Sequence, residues 1–227
     1  MIAVMVAAGG SRRMGFDKLS ADLAGKPVVA HSLLAFEASA KVERIVLVTR
    51  EERIAEFEAM GREFGVTKLA KVVAGGTERH YSVWNGLQAA EAKVSDYVAV
   101  HDAARPLVTP AVIEACLTMA ERHGAASCAA PVADTLKKAD AAGAVIGSVD
   151  RAHLWAMQTP QIFLWPLLER AYRQVLRTET LVTDEVSAIQ RLGLSVFLSP
   201  VDEPNFKITV PRDLELARLV IEARATS

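Results

Sequence analysis

The stretch IAVMVAAGGSRRMG, residues 2–15, passes from an unbroken apolar run into a loop of glycine, serine and arginine within a few positions. Consecutive apolar residues rich in Val, Ile and Ala suit a strand buried on both faces, here Ile2 to Ala8, better than an amphipathic one. Three other runs share this character: Arg44 to Thr49, Tyr97 to His101 and Ser127 to Val132. Between them, Pro27 to Ala40, Glu51 to Phe64, Arg79 to Lys93 and Pro110 to His123 repeat apolar residues three and four apart, and two of these open on a proline suited to a first helical turn. Strands alternating with helices imply right-handed crossovers and a mainly parallel sheet between helical layers. The expected fold class is α/β, a three-layer Rossmann-like domain.

The bulk composition narrows the function classes. At 227 residues and 51% hydrophobic, the chain suits a single domain, residues 1–227, with a real core. With 26 Lys and Arg against 27 Asp and Glu, the formal charge of -1 gives no overall field toward nucleic acid or an anionic membrane, so any bound anion must be held by a local cluster. The two cysteines, Cys116 and Cys128, fit neither a CxxC redox pair nor a zinc site and read as small core residues. No apolar run is long enough to span a membrane and the first one is unlike a signal peptide, so a cytoplasmic location is expected.

The strand-helix rhythm breaks at DTLKKADAAGAVIGSVDR, residues 134–151, which alternates polar and apolar residues around a turn at Asp140 to Gly143. This predicts a two-stranded arm, an insertion at about residues 134–160. A lone hairpin is marginal in water, so such an arm packs on something, either its own domain or a second subunit. Beyond it, Trp165 to Leu176 and Asp184 to Leu192 read as helical, Ser195 to Ser199 and Lys207 to Thr209 as extended, and Pro211 to Ala225 as a closing helix.

In an open parallel sheet, ligands bind beyond the carboxyl ends of the strands, and the loop after the first strand is the usual phosphate contact. Gly9 and Gly10 let backbone N–H groups approach an anion. The loop is neither Gly-x-Gly-x-x-Gly nor a P-loop, because Gly15 is followed by Phe16-Asp17, not Lys-Ser. What remains is a glycine loop with Arg12, Arg13 and, after Gly15, Lys18. Fixed cations of this kind lower the barrier for attack on a triphosphate's α-phosphorus, where charge gathers on the equatorial oxygens and on departing pyrophosphate. A solvated surface turn is the competing reading. VAVHDAARP, residues 98–106, runs a strand into His101, Asp102 and Arg105; Asp102 can orient a ribose or a metal-bound phosphate and Arg105 can pair with an anion, whereas His101 reads as structural. AGGTERHYSV, residues 74–83, is another strand-to-helix junction, with Gly75 and Gly76 open to a flat base and Ser82 near it.

AAGGSRRMG with a following lysine resembles the signature loop of the sugar-phosphate and cofactor nucleotidyltransferases. HDAARP, the PV-x-DT element, VDR (149–151), TPQ (159–161), TDE (183–185) and the K-x-T at Lys207, in this order and spacing, resemble the 2-C-methyl-D-erythritol 4-phosphate cytidylyltransferases, enzymes of the non-mevalonate isoprenoid pathway. The resemblance implies transfer of CMP from CTP to the polyol phosphate with release of pyrophosphate. It implies that Arg13 and Lys18 hold the triphosphate and stabilise the pentavalent transition state, with Lys207 touching the same phosphates from the opposite side. Ala7, Ala8, Gly9, Gly10 and Ser11 are implied to lie along the nucleotide, and Gly75, Gly76 and Ser82 to read the cytosine. Asp102 and Arg105 are implied near the ribose and the methylerythritol phosphate, with Thr159 a further substrate contact. Thr135 and Arg151 lie on the arm, which in the family reaches into the partner subunit, so the resemblance implies a homodimer with shared active sites. Mg²⁺ is expected mainly through the CTP phosphates, with Asp102 its candidate protein ligand. Two alternatives stay open: a cytidylyltransferase for ribitol 5-phosphate, and a molybdenum-cofactor nucleotidyltransferase, which RMGFDKL (13–19) and AGKPVV (24–29) resemble.

Overall fold

A computed structural model describes residues 1–10 and 14–226; the expected contacts Ser11 and Arg13, with Arg12 and Ser227, lie outside the described residues. In chain order the elements are β1 (Ile2–Val6), β2 (Asp22–Leu23), β3 (Lys26–Pro27), α1 (Val28–Ala38), β4 (Arg44–Thr49), a 3-10 turn (Glu51–Arg53), α2 (Ile54–Glu63) and β5 (Leu69–Ala74). They continue with α3 (Arg79–Ala90), β6 (Tyr97–Asp102), α4 (Pro110–His123), β7 (Ala125–Pro131), β8 (Leu136–Ala139), β9 (Val145–Val149) and β10 (Trp155–Leu164). The chain closes with α5 (Trp165–Arg177), α6 (Glu185–Gln190), β11 (Phe197–Pro200) and α7 (Pro211–Ala225).

Seven strands form the central sheet in the order β11-β7-β10-β6-β1-β4-β5. β1 lies between β4 and β6, parallel to both, with Ile2 opposite Arg44 on one side and Val98 on the other. Because both faces of β1 are covered, its residues divide by alternation. Ala3 and Met5 pack with Leu33 and Phe36 of α1, Phe57 of α2 and Ile113 of α4. Ile2 and Val4 pack on the other side with Leu87 of α3, Tyr172 of α5 and Ile189 of α6. Each such aliphatic side chain taken from water contributes about 1.5–3 kcal/mol before entropy is counted, which is why the apolar runs locate the sheet so well. Local signals set the ends of α4: Thr109 accepts from the Val112 amide, Pro110 opens the first turn, and Gly124 closes the helix at φ 82°.

The expected three-layer α/β domain is present, with three corrections. β10 is a central strand antiparallel to β6 and β7, which periodicity did not reveal. Its sequence WAMQTPQIFL carries a proline and two glutamines; the β10–β7 register slips between Met157 and Gln161, so Pro160 sits where the ladder is already broken. β5 is an edge strand whose LAKVVA sequence carries an exposed lysine. The expected strand Lys207 to Thr209 is instead irregular chain across the sheet's end, tied there by the Ile208 amide donating to Ala104 O (2.9 Å).

The arm is a hairpin of β8 and β9, antiparallel, with Leu136 opposite Val149. Asp140 Oδ1 accepts from the Ala142 and Ala144 amides (2.9 Å each), and Gly143 turns the chain at φ 85°. The hairpin leaves from the far end of the β7–β10 ladder, where the Val132 amide donates to Leu154 O (3.0 Å). Cys116 and Cys128 are buried free thiols, as expected.

Candidate active site

β1 and β6 stop together at the carboxyl end of the sheet. The last ladder contacts are the Ala7 amide to Val48 O (2.7 Å) and the Ala103 amide to Val6 O (3.1 Å); beyond them the chains diverge and open a cleft of about 230 Å³. Ala7, Ala8, Gly9 and Gly10 form one wall, and Gly76 and Ser82 the opposite one. Lys18, Asp102 and Lys207 also face it. Residues 10, 18, 76, 102 and 207, scattered through the sequence, thus meet in one place.

The close approach of the two walls explains Gly75. A Cβ there would lie 2.7 Å from both Ala8 Cβ and Ser82 Oγ, too near for either to be accommodated without movement. Ser82 Oγ accepts from the Gly76 amide (3.1 Å) and donates to Glu78 O (3.1 Å), so the hydroxyl shapes the loop that lines the cleft.

The cations converge from both ends of the chain. Lys18 Nζ donates to Ile208 O (2.8 Å), next to Lys207, whose own Nζ lies 2.8 Å from Asp102 Oδ2. Lys18 is aimed by its neighbours: Asp17 Oδ1 accepts from the Leu19 amide (3.1 Å), while Asp17 Oδ2 pairs at 2.7 Å with Arg53, itself held bidentately by Glu56. Burial by itself would push the Asp102 carboxyl up, but Lys207, Arg79 and Arg105 override it and hold the group well below the usual carboxylate range. Asp102 is therefore an anion at any working pH.

Behind Asp102 lies a rigid support. The Asp102 amide donates to Thr159 Oγ1 (3.0 Å), and the same hydroxyl is hydrogen-bonded to His101 Nδ1 (3.1 Å). Burial pushes the His101 imidazole down to about 3, so it is neutral. This agrees with its reading as structural. Thr159, expected as a substrate contact, is buried and engaged in this support. Arg105 likewise turns inward, donating to Asn205 O (2.8 Å) and Met157 O (3.5 Å), and anchors the strap that carries Lys207. Thr135 and Arg151 are exposed on or beside the arm and do not line the cleft; Arg151 donates to Ala133 O.

Arg79 and Glu185 are the residues that sequence reasoning missed. Arg79 opens α3 after the Gly75-Gly76 junction and faces the cleft; Nη1 meets Glu185 Oε1 at 2.7 Å and Nη2 meets Asp102 Oδ1 at 3.5 Å. Glu185 stands in the TDE motif, and TPQ holds it: Gln161 Oε1 accepts from the Glu185 and Val186 amides (3.1 Å each). Two motifs separated in sequence are thus one structural unit.

Comparison with known proteins gives a consistent result. The family described as "IspD: 2-C-methyl-D-erythritol 4-phosphate cytidylyltransferase" matches residues 1–223. A relative of that name from Pelotomaculum thermopropionicum is 42% identical over 226 residues, 98% of this chain and 94% of its own length. One from Caldanaerobacter subterraneus is 40% identical over 223 residues, 96% of this chain and 97% of its own. The crystal structure of 2-C-methyl-D-erythritol 4-phosphate cytidylyltransferase from Thermus thermophilus superposes with a TM-score of 0.78 at 30% identity, covering 96% of this chain and 98% of that one. With its glycine loop, HDAARP strand end and K-x-T strap meeting in one cleft, and this likeness running nearly end to end, the chain belongs to the 2-C-methyl-D-erythritol 4-phosphate cytidylyltransferase family.

Proposed function

We infer that this chain transfers CMP from CTP to 2-C-methyl-D-erythritol 4-phosphate, giving 4-diphosphocytidyl-2-C-methyl-D-erythritol and pyrophosphate in isoprenoid precursor synthesis. An oxygen of the acceptor's phosphate attacks the α-phosphorus in line, and the bond to the bridging oxygen of pyrophosphate breaks. Two phosphates already ionised react, so no general base is required. Lys18 and Lys207, with Arg13, hold the triphosphate and absorb the charge that develops as pyrophosphate leaves. The backbone of Ala7 to Gly10, together with Ser11, lies along the nucleotide, and the Gly75-Gly76 and Ser82 segment reads the base. The observation that carries this reading is the meeting of Lys18, Lys207 and Asp102 in the cleft of the glycine loop.

Among the described residues no cluster of three or more His, Cys, Asp or Glu is placed to hold a metal ion. This donor set fits Mg²⁺ only as an ion carried by the nucleotide's phosphates with Asp102 as its protein carboxylate, the habit of an ion that keeps waters and substrate oxygens. When bound, it supplies charge neutralisation at the phosphates. The exposed Val145 and Ile146 of the arm support a homodimer in which Thr135 and Arg151 serve the partner's acceptor pocket, while Arg105 acts from behind by anchoring the strap that carries Lys207. Among the described residues no helix is long and apolar enough to cross a membrane, which is consistent with a cytoplasmic enzyme. Pyrophosphate release measured for CTP, GTP, ATP and UTP against methylerythritol phosphate and ribitol 5-phosphate tests the assignment. Release is expected with CTP and methylerythritol phosphate; release only with GTP, or only with ribitol 5-phosphate, overturns it.

A further inference from the structure

Glu185 lies beneath the cleft, wholly buried, and among the described residues the cation it pairs with is Arg79. Its carboxylate takes both forks of that guanidinium, Nη1 to Oε1 at 2.7 Å and Nη2 to Oε2 at 3.1 Å, while Tyr172 Oη donates to Oε1 (2.9 Å). Arg79 is therefore left with one long contact, 3.5 Å, to Asp102 Oδ1, and Asp102 Oδ2 remains with Lys207 at 2.8 Å. A guanidinium prefers to meet a carboxylate with two parallel N–H bonds, a geometry that a lysine ammonium cannot match. Freed from Glu185, Arg79 can close on Asp102, the other carboxylate it already contacts, and a forked contact there competes directly with Lys207.

We propose that Glu185 is a positioning residue that restrains Arg79, so that Asp102 stays paired with Lys207 and both keep the orientation the nucleotide meets. The pair also joins the start of α3 to α6, so the TDE and TPQ motifs act on the cleft without touching substrate. The kinetic part of this proposal rests on the CMP-transfer reading; the part that concerns Lys207 does not.

Two readouts separate them. The first is kcat and KM for CTP, and the second is the rate at which an acetylating reagent modifies Lys207 in nucleotide-free protein, followed by peptide mass mapping. Glu185→Gln keeps an acceptor for Tyr172 but removes the charge and the second oxygen that hold the Arg79 fork; it should lower kcat by about a hundred-fold, the scale of a misplaced catalytic group, and speed Lys207 acetylation. Should that variant not fold, Glu185→Asp, which draws the carboxylate back by one methylene, should move both readouts in the same direction. Removing the competitor as well, in Arg79→Met/Glu185→Gln, leaves no buried charge unpaired and should restore both readouts toward the native values. A Glu185→Gln protein with native kcat and native Lys207 reactivity overturns the proposal. So does a double variant that melts like the native protein and fails to recover either. If the native chain releases no pyrophosphate from CTP, the functional reading falls, and Lys207 reactivity still decides the restraint.

Discussion

The cleft and the arm are built on opposite principles. Around the cleft, polar groups are cross-linked from elements far apart in sequence: Lys207 to Asp102, Arg79 to Glu185, Lys18 to Ile208 O and Arg105 to Asn205 O. Partial burial strengthens these contacts, and each fixes a side chain at the cleft or directly behind it. The arm has a two-stranded ladder of four paired positions, side chains mostly in solvent, and Val145 and Ile146 exposed at 65% and 66%. Its polar contacts, such as Lys137 Nζ to Ser148 Oγ (2.7 Å), are local. One region is cross-linked from distant parts of the chain, while the other is held by contacts within its own hairpin. Both regions meet along a single strand, β10, whose Thr159 and Gln161 support the cleft and whose Trp155 end carries the arm.

The contrast can be broken most forcefully at Lys207. Lys207→Ala should lower kcat by about 10²–10³-fold, as loss of one preorganised charge donor does, with melting temperature unchanged because the side chain is partly in solvent. Near-native turnover would remove Lys207 from the chemistry. On the arm, Arg151→Ala should raise KM for the acceptor by roughly ten- to hundred-fold, the worth of a charged hydrogen bond, while KM for CTP stays put. Mixing it with Arg13→Ala chains sharpens the comparison further: if the arm serves the partner, mixed dimers regain one intact site and part of the activity. No recovery, with subunit exchange demonstrated, places Arg151 in its own chain's site.

The smallest effect should be on acid stability, and it belongs to the cleft. The His101 imidazole titrates at about 3 in the folded chain against an ordinary 6.5, because burial disfavours its charged form. The unfolded chain then binds the proton first, so the stability from keeping His101 neutral is present above pH 6.5 and is lost as the pH falls from there toward 3. His101→Gln, whose amide can still hydrogen-bond with Thr159, should show a shallower fall in melting temperature across that interval than the native protein; parallel curves would rule His101 out as the source.

Much of this was legible in the residues. β1, β4, β6 and β7 announce themselves because a strand covered on both faces needs nearly continuous Val, Ile and Ala, and the glycine loop, Asp102 and the two lysines stand out by residue type. β10 hid behind Pro160 and two glutamines, since a strand that breaks its ladder and buries polar side chains has no simple period. Glu185 was visible as part of a motif but not as a restraint, because an isolated acidic residue at a helix start reads equally well as a cap.

By itself, then, the order of apolar and polar residues determined the layered α/β architecture, the strand end at which ligands gather, and the chemical types of the groups waiting there. Burial and periodicity act over a few residues and leave their record locally. Which groups meet was decided only by tertiary structure. Lys18 reaches Ile208 O, and Arg79 reaches Glu185, across 190 and 106 positions respectively, and pairing over such distances depends on how the sheet orders its strands. No local pattern encodes it.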